Sequence, residues 1–97
     1  MEKSPDNASK NDSQLAARQT FARNLRICRF MRNMSQEALA NTAQMSRSYV
    51  SGVEQAVRNV SINNMTSLAD ALDIPLKNLV DPDWLTDIGI SSSKQSK

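Results

Sequence analysis

An all-α fold of five helices follows from three features of the amino-acid sequence. Strong helix formers (Ala, Leu, Arg, Gln, Met) recur along the chain, while two glycines and 4% aromatic residues leave little for a β-sandwich or barrel. Apolar residues return at three- and four-residue steps, the period of a helix face. Serines stand just before several of these runs, where a side-chain oxygen can cap a helix N-terminus. No convincing strand pattern appears, and 97 residues give room for one small domain.

The first 12 residues, MEKSPDNASKND, carry no apolar periodicity and read as a disordered tail; residues 91–97 read the same way. The domain is expected between residues 13 and 90. Its first helix is expected from Gln14 to Arg32, with Ser13 or Thr20 as N-cap and Ala17, Phe21, Leu25, Ile27, Cys28 and Met31 on one face. Asn33, which tolerates a left-handed turn, would stop it. Ser35 caps the second helix, Gln36 to Ala43, with Met34 stapling onto Leu39. Ser46 caps a third, RSYVSGVEQ, which turns Val50 and Val53 inward. Ser61 caps the fourth, INNMTSLADALD, with Ile62, Met65, Leu68, Ala69 and Leu72 as its stripe. Pro75 suits the first turn of a short fifth, ended by Pro82; Trp84, Leu85, Ile88 and Ile90 form a last apolar cluster.

Composition removes whole classes of chemistry. With no histidine and one cysteine, the chain lacks the ligands for a structural zinc site, an internal disulfide, and Ser–His or Cys–His catalysis. No glycine-rich phosphate loop is present, so the chain is read as a non-enzyme with neither cofactor nor metal. No apolar run approaches the roughly 20 residues of a membrane span. A single cysteine and no signal peptide fit the cytoplasm.

The net charge of +2 hides an asymmetry. Residues 18–60 hold arginines 18, 23, 26, 29, 32, 47 and 58 against Glu37 and Glu54, whereas residues 61–90 hold Lys77 against aspartates 70, 73, 81, 83 and 87. One half suits a polyanion and the other does not. The segment Gln36–Gln55 then fits the twenty-residue helix-turn-helix pattern. Leu39, Ala43, Met45, Val50 and Val53 fill its apolar places and Ala40 its small one. Glycine usually holds the ninth place; here it is Gln44, which would cost roughly 1 kcal/mol if left-handed. A recognition helix seated in the major groove would present Arg47, Ser48, Ser51 and Gln55 outward. Arg47 fits either a bidentate guanine contact or a phosphate, and Ser48 either a base or a phosphate. Ser35 and Ser46 cap, and with Gln36 at a helix N-terminus they can also meet phosphate. Tyr49 has two readings, contact with DNA sugar or a thymine methyl, or packing on the second helix. Phe30 is read as an exposed aromatic near Arg23 and Arg26, facing a partner, the N-terminal segment or only solvent.

The wider pattern resembles the XRE family, the Cro and lambda-repressor type of helix-turn-helix regulator. The carrying residues are Leu25, Arg29, Ser35-Gln36-Glu37, Leu39-Ala40, Ser46 to Ser51, Glu54, Arg58-Asn59, Ser61-Ile62, Leu68-Ala69, Leu72 and Leu79, over roughly residues 20–80. The stretch RSYVSGVEQAVRN resembles the restriction–modification controller proteins of that family. The resemblance implies a lambda-repressor-like domain that binds double-stranded DNA and regulates transcription, as a controller or a prophage repressor. It implies base contacts at Arg47, Ser48 and Gly52, a DNA role for Tyr49, a Gln36 that both holds the DNA backbone and braces the recognition helix, and further backbone contacts at Arg58 and Asn59. It further implies a buried structural ion pair of Arg29 with Glu54, and a homodimer on a pseudo-palindromic operator. The dimer surface is expected at Leu76, Leu79, Val80, Trp84, Leu85 and Ile88, with Trp84 alternatively folding onto its own core. A further protein partner, RNA polymerase or a toxin, stays open. The alternative function is a DNA-binding antitoxin that holds a toxin protein.

Overall fold

The computed structural model describes residues 4–89, with side chains from residue 10 onward; the expected C-terminal tail, 91–97, lies outside the described residues. Six helices follow one another: α1 Ser4–Met31, α2 Gln36–Ala43, α3 Arg47–Glu54, α4 Ile62–Leu72, α5 Leu76–Val80 and α6 Trp84–Asp87. Helix α1 spans one side of the fold and packs on α3, α4 and α5, while α2 packs on α3 and α4. Between them lies a core in which Leu25, Leu39, Val50, Leu68 and Leu79 are fully buried.

Three serines start three helices by the same bond. The Oγ of Ser35 accepts from the backbone N–H of Ala38 at 2.9 Å, that of Ser46 from Tyr49 at 3.0 Å, and that of Ser61 from Asn64 at 3.0 Å. Each such cap contributes about 1 kcal/mol. Four helices also stop alike, on a left-handed residue: Asn33, Gln44, Ala56 and Asp73, with φ of 58°, 61°, 63° and 59°. None is glycine; Asn33 and Asp73 are types that tolerate this conformation, while Gln44 and Ala56 cost roughly 1–2 kcal/mol each. In each case the next residue's N–H reaches back five residues, for example Met34 to the Arg29 carbonyl at 3.1 Å and Met45 to Ala40 at 2.8 Å. This is the Schellman closure, whose apolar follower normally packs down. Met34, Met45 and Ile74 do pack against the core, but Val57, after Ala56, is 71% exposed.

Several expectations need correction. Residues 4–12 belong to helix α1 and are not a disordered lead-in. The turns from residue 10 to 17 are exposed, which is why they show no apolar stripe. Ala17 and Met31 lie outside the core, and Ile62, at the first turn of α4, is 66% exposed. A sixth helix, α6, follows the expected five, and Gln55 caps α3 rather than continuing it.

The apolar C-terminal cluster divides. Leu79 and Leu85, expected at a dimer surface, are buried at 0% and 4% exposure, and α5 packs back against α1. Leu76 and Trp84 are half-buried against the same core, while Val80 and Ile88 remain exposed. Asn24 holds this arrangement and has no counterpart in the sequence-based reading. Fully buried, it donates through Nδ2 to the carbonyls of Asn78, Leu79 and Asp81 at 3.1, 3.2 and 2.9 Å, closing the end of α5. Cys28 is a core thiol, and burial pushes its pKa up, with Arg32 partly opposing. Among the described residues no helix is long and apolar enough to cross a membrane.

Candidate nucleic-acid interface

Helix α3 is held from behind by one acid. Glu54, at its last turn, is buried. Its two oxygens accept from Arg29 in parallel, Nε to Oε2 at 2.7 Å and Nη2 to Oε1 at 3.0 Å, and Gln36 Nε2 donates to Oε1 at 3.0 Å. Arg29 also donates to the Met34 carbonyl at 2.9 Å, so one guanidinium joins the end of α1, the start of α2 and the end of α3. A bidentate fork of this kind fixes direction as well as distance. Gln36 therefore braces α3 through its amide nitrogen.

The outward face of α3 is built differently. Arg47 and Ser48 are exposed, and Arg47 donates no hydrogen bond among the described residues. One turn on, Gln55 Nε2 donates to Ser51 Oγ at 2.9 Å, so those two form a linked polar pair on the surface. Ser35 and Ser46 are exposed with their oxygens committed to capping, which leaves each hydroxyl proton free to donate. These side chains fall on one side of the α2–α3 unit because α3 turns Val50 and Val53 into the core.

Tyr49, Gly52 and Arg58 form a unit that sequence reasoning did not join. Tyr49 is half-buried against the core cluster, and its hydroxyl accepts from Asn64 Nδ2 at 3.1 Å. The Arg58 guanidinium lies 5.4 Å from the Tyr49 ring centroid, in cation–π range. Its stem crosses Gly52, where an added Cβ would meet Arg58 Cγ and Nε at 2.9 Å. Gly52 is buried beneath that side chain, so it is not an open gap facing bases. What glycine admits at that turn is Arg58, which is thereby laid onto the recognition helix instead of standing off in the loop. Asn64 is a missed member of the site, and a polar residue in the first turn of a helix gives no signal of its role.

The remaining arginines of α1 are engaged in hydrogen bonds within the fold. Arg26 donates to the Glu54 carbonyl at 3.3 Å, Arg32 to the Leu72 carbonyl at 2.8 Å, and Arg23 to the Pro82 carbonyl at 2.9 Å. Arg18 donates to the Ala56 carbonyl and to Asn59 Oδ1, both at 3.3 Å. Phe30 is 62% exposed and lies under Arg29, whose guanidinium carbon is 4.7 Å from the ring centroid.

A helix-turn-helix family model matches residues 23–79. Control protein C.BamHI of Bacillus amyloliquefaciens is 40% identical over 63 residues, which are 65% of this chain and 74% of that protein. The solved restriction–modification controller protein C.AhdI of Aeromonas hydrophila is 45% identical, with a TM-score of 0.64 over 66% of this chain and 97% of that one. A solved hypothetical transcription factor from Neisseria is 35% identical, with a TM-score of 0.67 over 68% of this chain and 76% of that one.

Proposed function

We propose a specific task on the premise that this chain belongs to the helix-turn-helix family and is a DNA-binding transcription regulator of the controller-protein kind. The task is to bind one double-stranded sequence as a homodimer and so to control the genes of a restriction–modification system. The observation that carries it is the division of labour in α3. One side is clamped through Glu54, while Arg47, Ser48 and the Ser51–Gln55 pair stand free on the other. A rigidly held helix with an unspent arginine at its N-terminal end suits base readout in the major groove, where a bidentate arginine–guanine pair discriminates by about 1–3 kcal/mol. Arg58 and Asn59, beside it, supply donors for the DNA backbone.

The second copy docks away from that face. Residues 61–90 carry the aspartates 70, 73, 81, 83 and 87 against Lys77, a poor surface for phosphate. Val80 and Ile88, 47% and 50% exposed, are what remain for contact of the interface expected from sequence. Two-fold pairing there sets two recognition helices about one turn of duplex apart, or roughly 34 Å. The control-protein relatives lend no support to the antitoxin alternative.

Selection of bound duplexes from a random pool tests the proposal. The expected winner is a pseudo-palindrome, bound with a log–log salt slope near about −5 if each subunit neutralises about three phosphates. A flat salt response with no enriched sequence would remove the specific-regulator reading.

A further inference from the structure

We propose that Arg18 is a positioning residue for DNA binding, fixing the Asn59 carboxamide so that its two N–H donors face a backbone phosphate. This deepens the function above and rests on its reading of Asn59 as a backbone contact. Arg18 lies outside the segment that the helix-turn-helix model matches, residues 23–79. It bridges 41 residues of sequence to reach the loop after the recognition helix.

The end of α3 needs such a brace. It is the one Schellman closure of the four whose apolar follower, Val57, is exposed rather than packed. Its left-handed residue, Ala56 at φ 63°, has no side chain that can hydrogen-bond its own turn. Arg18 supplies what the local sequence lacks. Its Nε donates to the Ala56 carbonyl at 3.3 Å and its Nη1 to Asn59 Oδ1 at 3.3 Å. Arg26, two turns along the same helix, holds the Glu54 carbonyl.

The chemistry of the second bond sets the polarity of Asn59. A guanidinium has donors only. Asn59 must therefore turn its oxygen toward Arg18 and its NH₂ away, toward solvent. An asparagine free to rotate offers a phosphate either its oxygen, which repels, or its nitrogen, which binds. Arg18 removes the wrong choice before DNA arrives, so less ordering remains to be done on binding. Lysine at position 18 cannot do the same, because one ammonium nitrogen would have to serve two separated acceptors.

The test measures affinity of the full chain for its selected duplex, with Arg18→Met, Asn59→Ala, the double variant and Arg18→Lys, each below its own melting transition. Asn59→Ala is expected to weaken binding by about tenfold per subunit, about a hundredfold for the dimer, as for loss of a hydrogen bond to a charged group. Arg18→Met should weaken it comparably, the double variant no further, and Arg18→Lys should not restore it. The salt slope should stay that of the parent, since neither neutral asparagine nor an indirect arginine releases a counterion. Additive losses with a slope reduced by about one per subunit would mean that Arg18 itself sits on phosphate, which overturns the proposal. Loss in Asn59→Ala with none in Arg18→Met would overturn the brace and leave the backbone contact standing. No loss in Asn59→Ala would overturn both, while weakened binding by Arg47→Ala would show the recognition-helix reading to be intact.

Discussion

Helix α1 and helix α3 with its following loop use the same side chain for opposite ends. Arginines 18, 23, 26, 29 and 32 of α1 all point at acceptors within the fold, four of them at backbone carbonyls beyond the helix and the fifth at Glu54. Arg47 makes no such bond among the described residues, and Arg58 is laid over Tyr49 and Gly52 with its guanidinium at the surface. Helix ends leave carbonyls without partners, and an arginine on a neighbouring helix satisfies them at long reach. A basic composition is therefore a poor measure of a DNA-binding face. Most of the positive charge in residues 18–60 is spent on holding helix ends, and the reading surface is defined by the few arginines left over.

The sharpest way to break this contrast is to remove one guanidinium from each region. Arg29→Met leaves Glu54 buried with only Gln36 as partner, and Glu54→Gln strands the arginine. Breaking one side of a buried pair costs about 3–5 kcal/mol. In a domain of this size that lowers the melting temperature by more than about 12 °C, measured by circular dichroism. Arg47→Ala should leave the melt within about 0.5 kcal/mol of the parent, as for an exposed residue, and weaken binding to the selected duplex instead. Equal melting losses in both regions would abolish the distinction between holding and reading arginines.

A smaller effect separates holding from reading within α3 itself. Alanine at position 52 favours the helix by about 1 kcal/mol over glycine but puts a Cβ 2.9 Å from the stem of Arg58. The stem is flexible and yields, so the fold survives while Arg58 leaves Tyr49. Gly52→Ala should therefore melt no lower than the parent yet bind DNA more weakly, by about as much as Arg58→Ala, with the double variant no worse. Binding unchanged in Gly52→Ala would show that the seat of Arg58 on the recognition helix does not matter to DNA.

How much of this was legible depends on the range of the interaction. The three serine caps, the left-handed Gln44 and the α2–α3 unit are local, set by residues within about five positions, and sequence spacing reports them directly. Asn24 closing α5, Arg26 on Glu54 and Arg58 over Gly52 are decided by which helix end lies beside which side chain, and no spacing rule carries that. Asn24 did leave a trace, since it lies one turn before Cys28 and three residues after Phe21, on the apolar face. A polar residue there must find partners once buried. In sequence Leu79 and Leu85 read as a dimer surface, because an apolar C-terminal cluster looks the same whether it covers its own core or a partner's. Only the return of α5 onto α1 decides between them.

The least change expected is at Gln44, and it tests whether the turn between α2 and α3 is tuned for binding or merely tolerated. Gln44 sits at φ 61°, ψ 49°, with its N–H shared between the carbonyls of Ala40 and Asn41. A β-carbon in that conformation is strained, whereas glycine adopts it freely but loses more freedom on folding. The balance favours Gln44→Gly by about 0.5–1 kcal/mol, a rise in melting temperature of a few degrees. The Gln44 side chain is exposed, and α3 takes its direction from Glu54 and from the capping bond at Ser46, neither of which the substitution touches. DNA affinity should therefore stay that of the parent. A gain in stability accompanied by a loss of binding would mean that the strained turn itself sets the angle of α3, and that the clamp at Glu54 does less than its geometry implies.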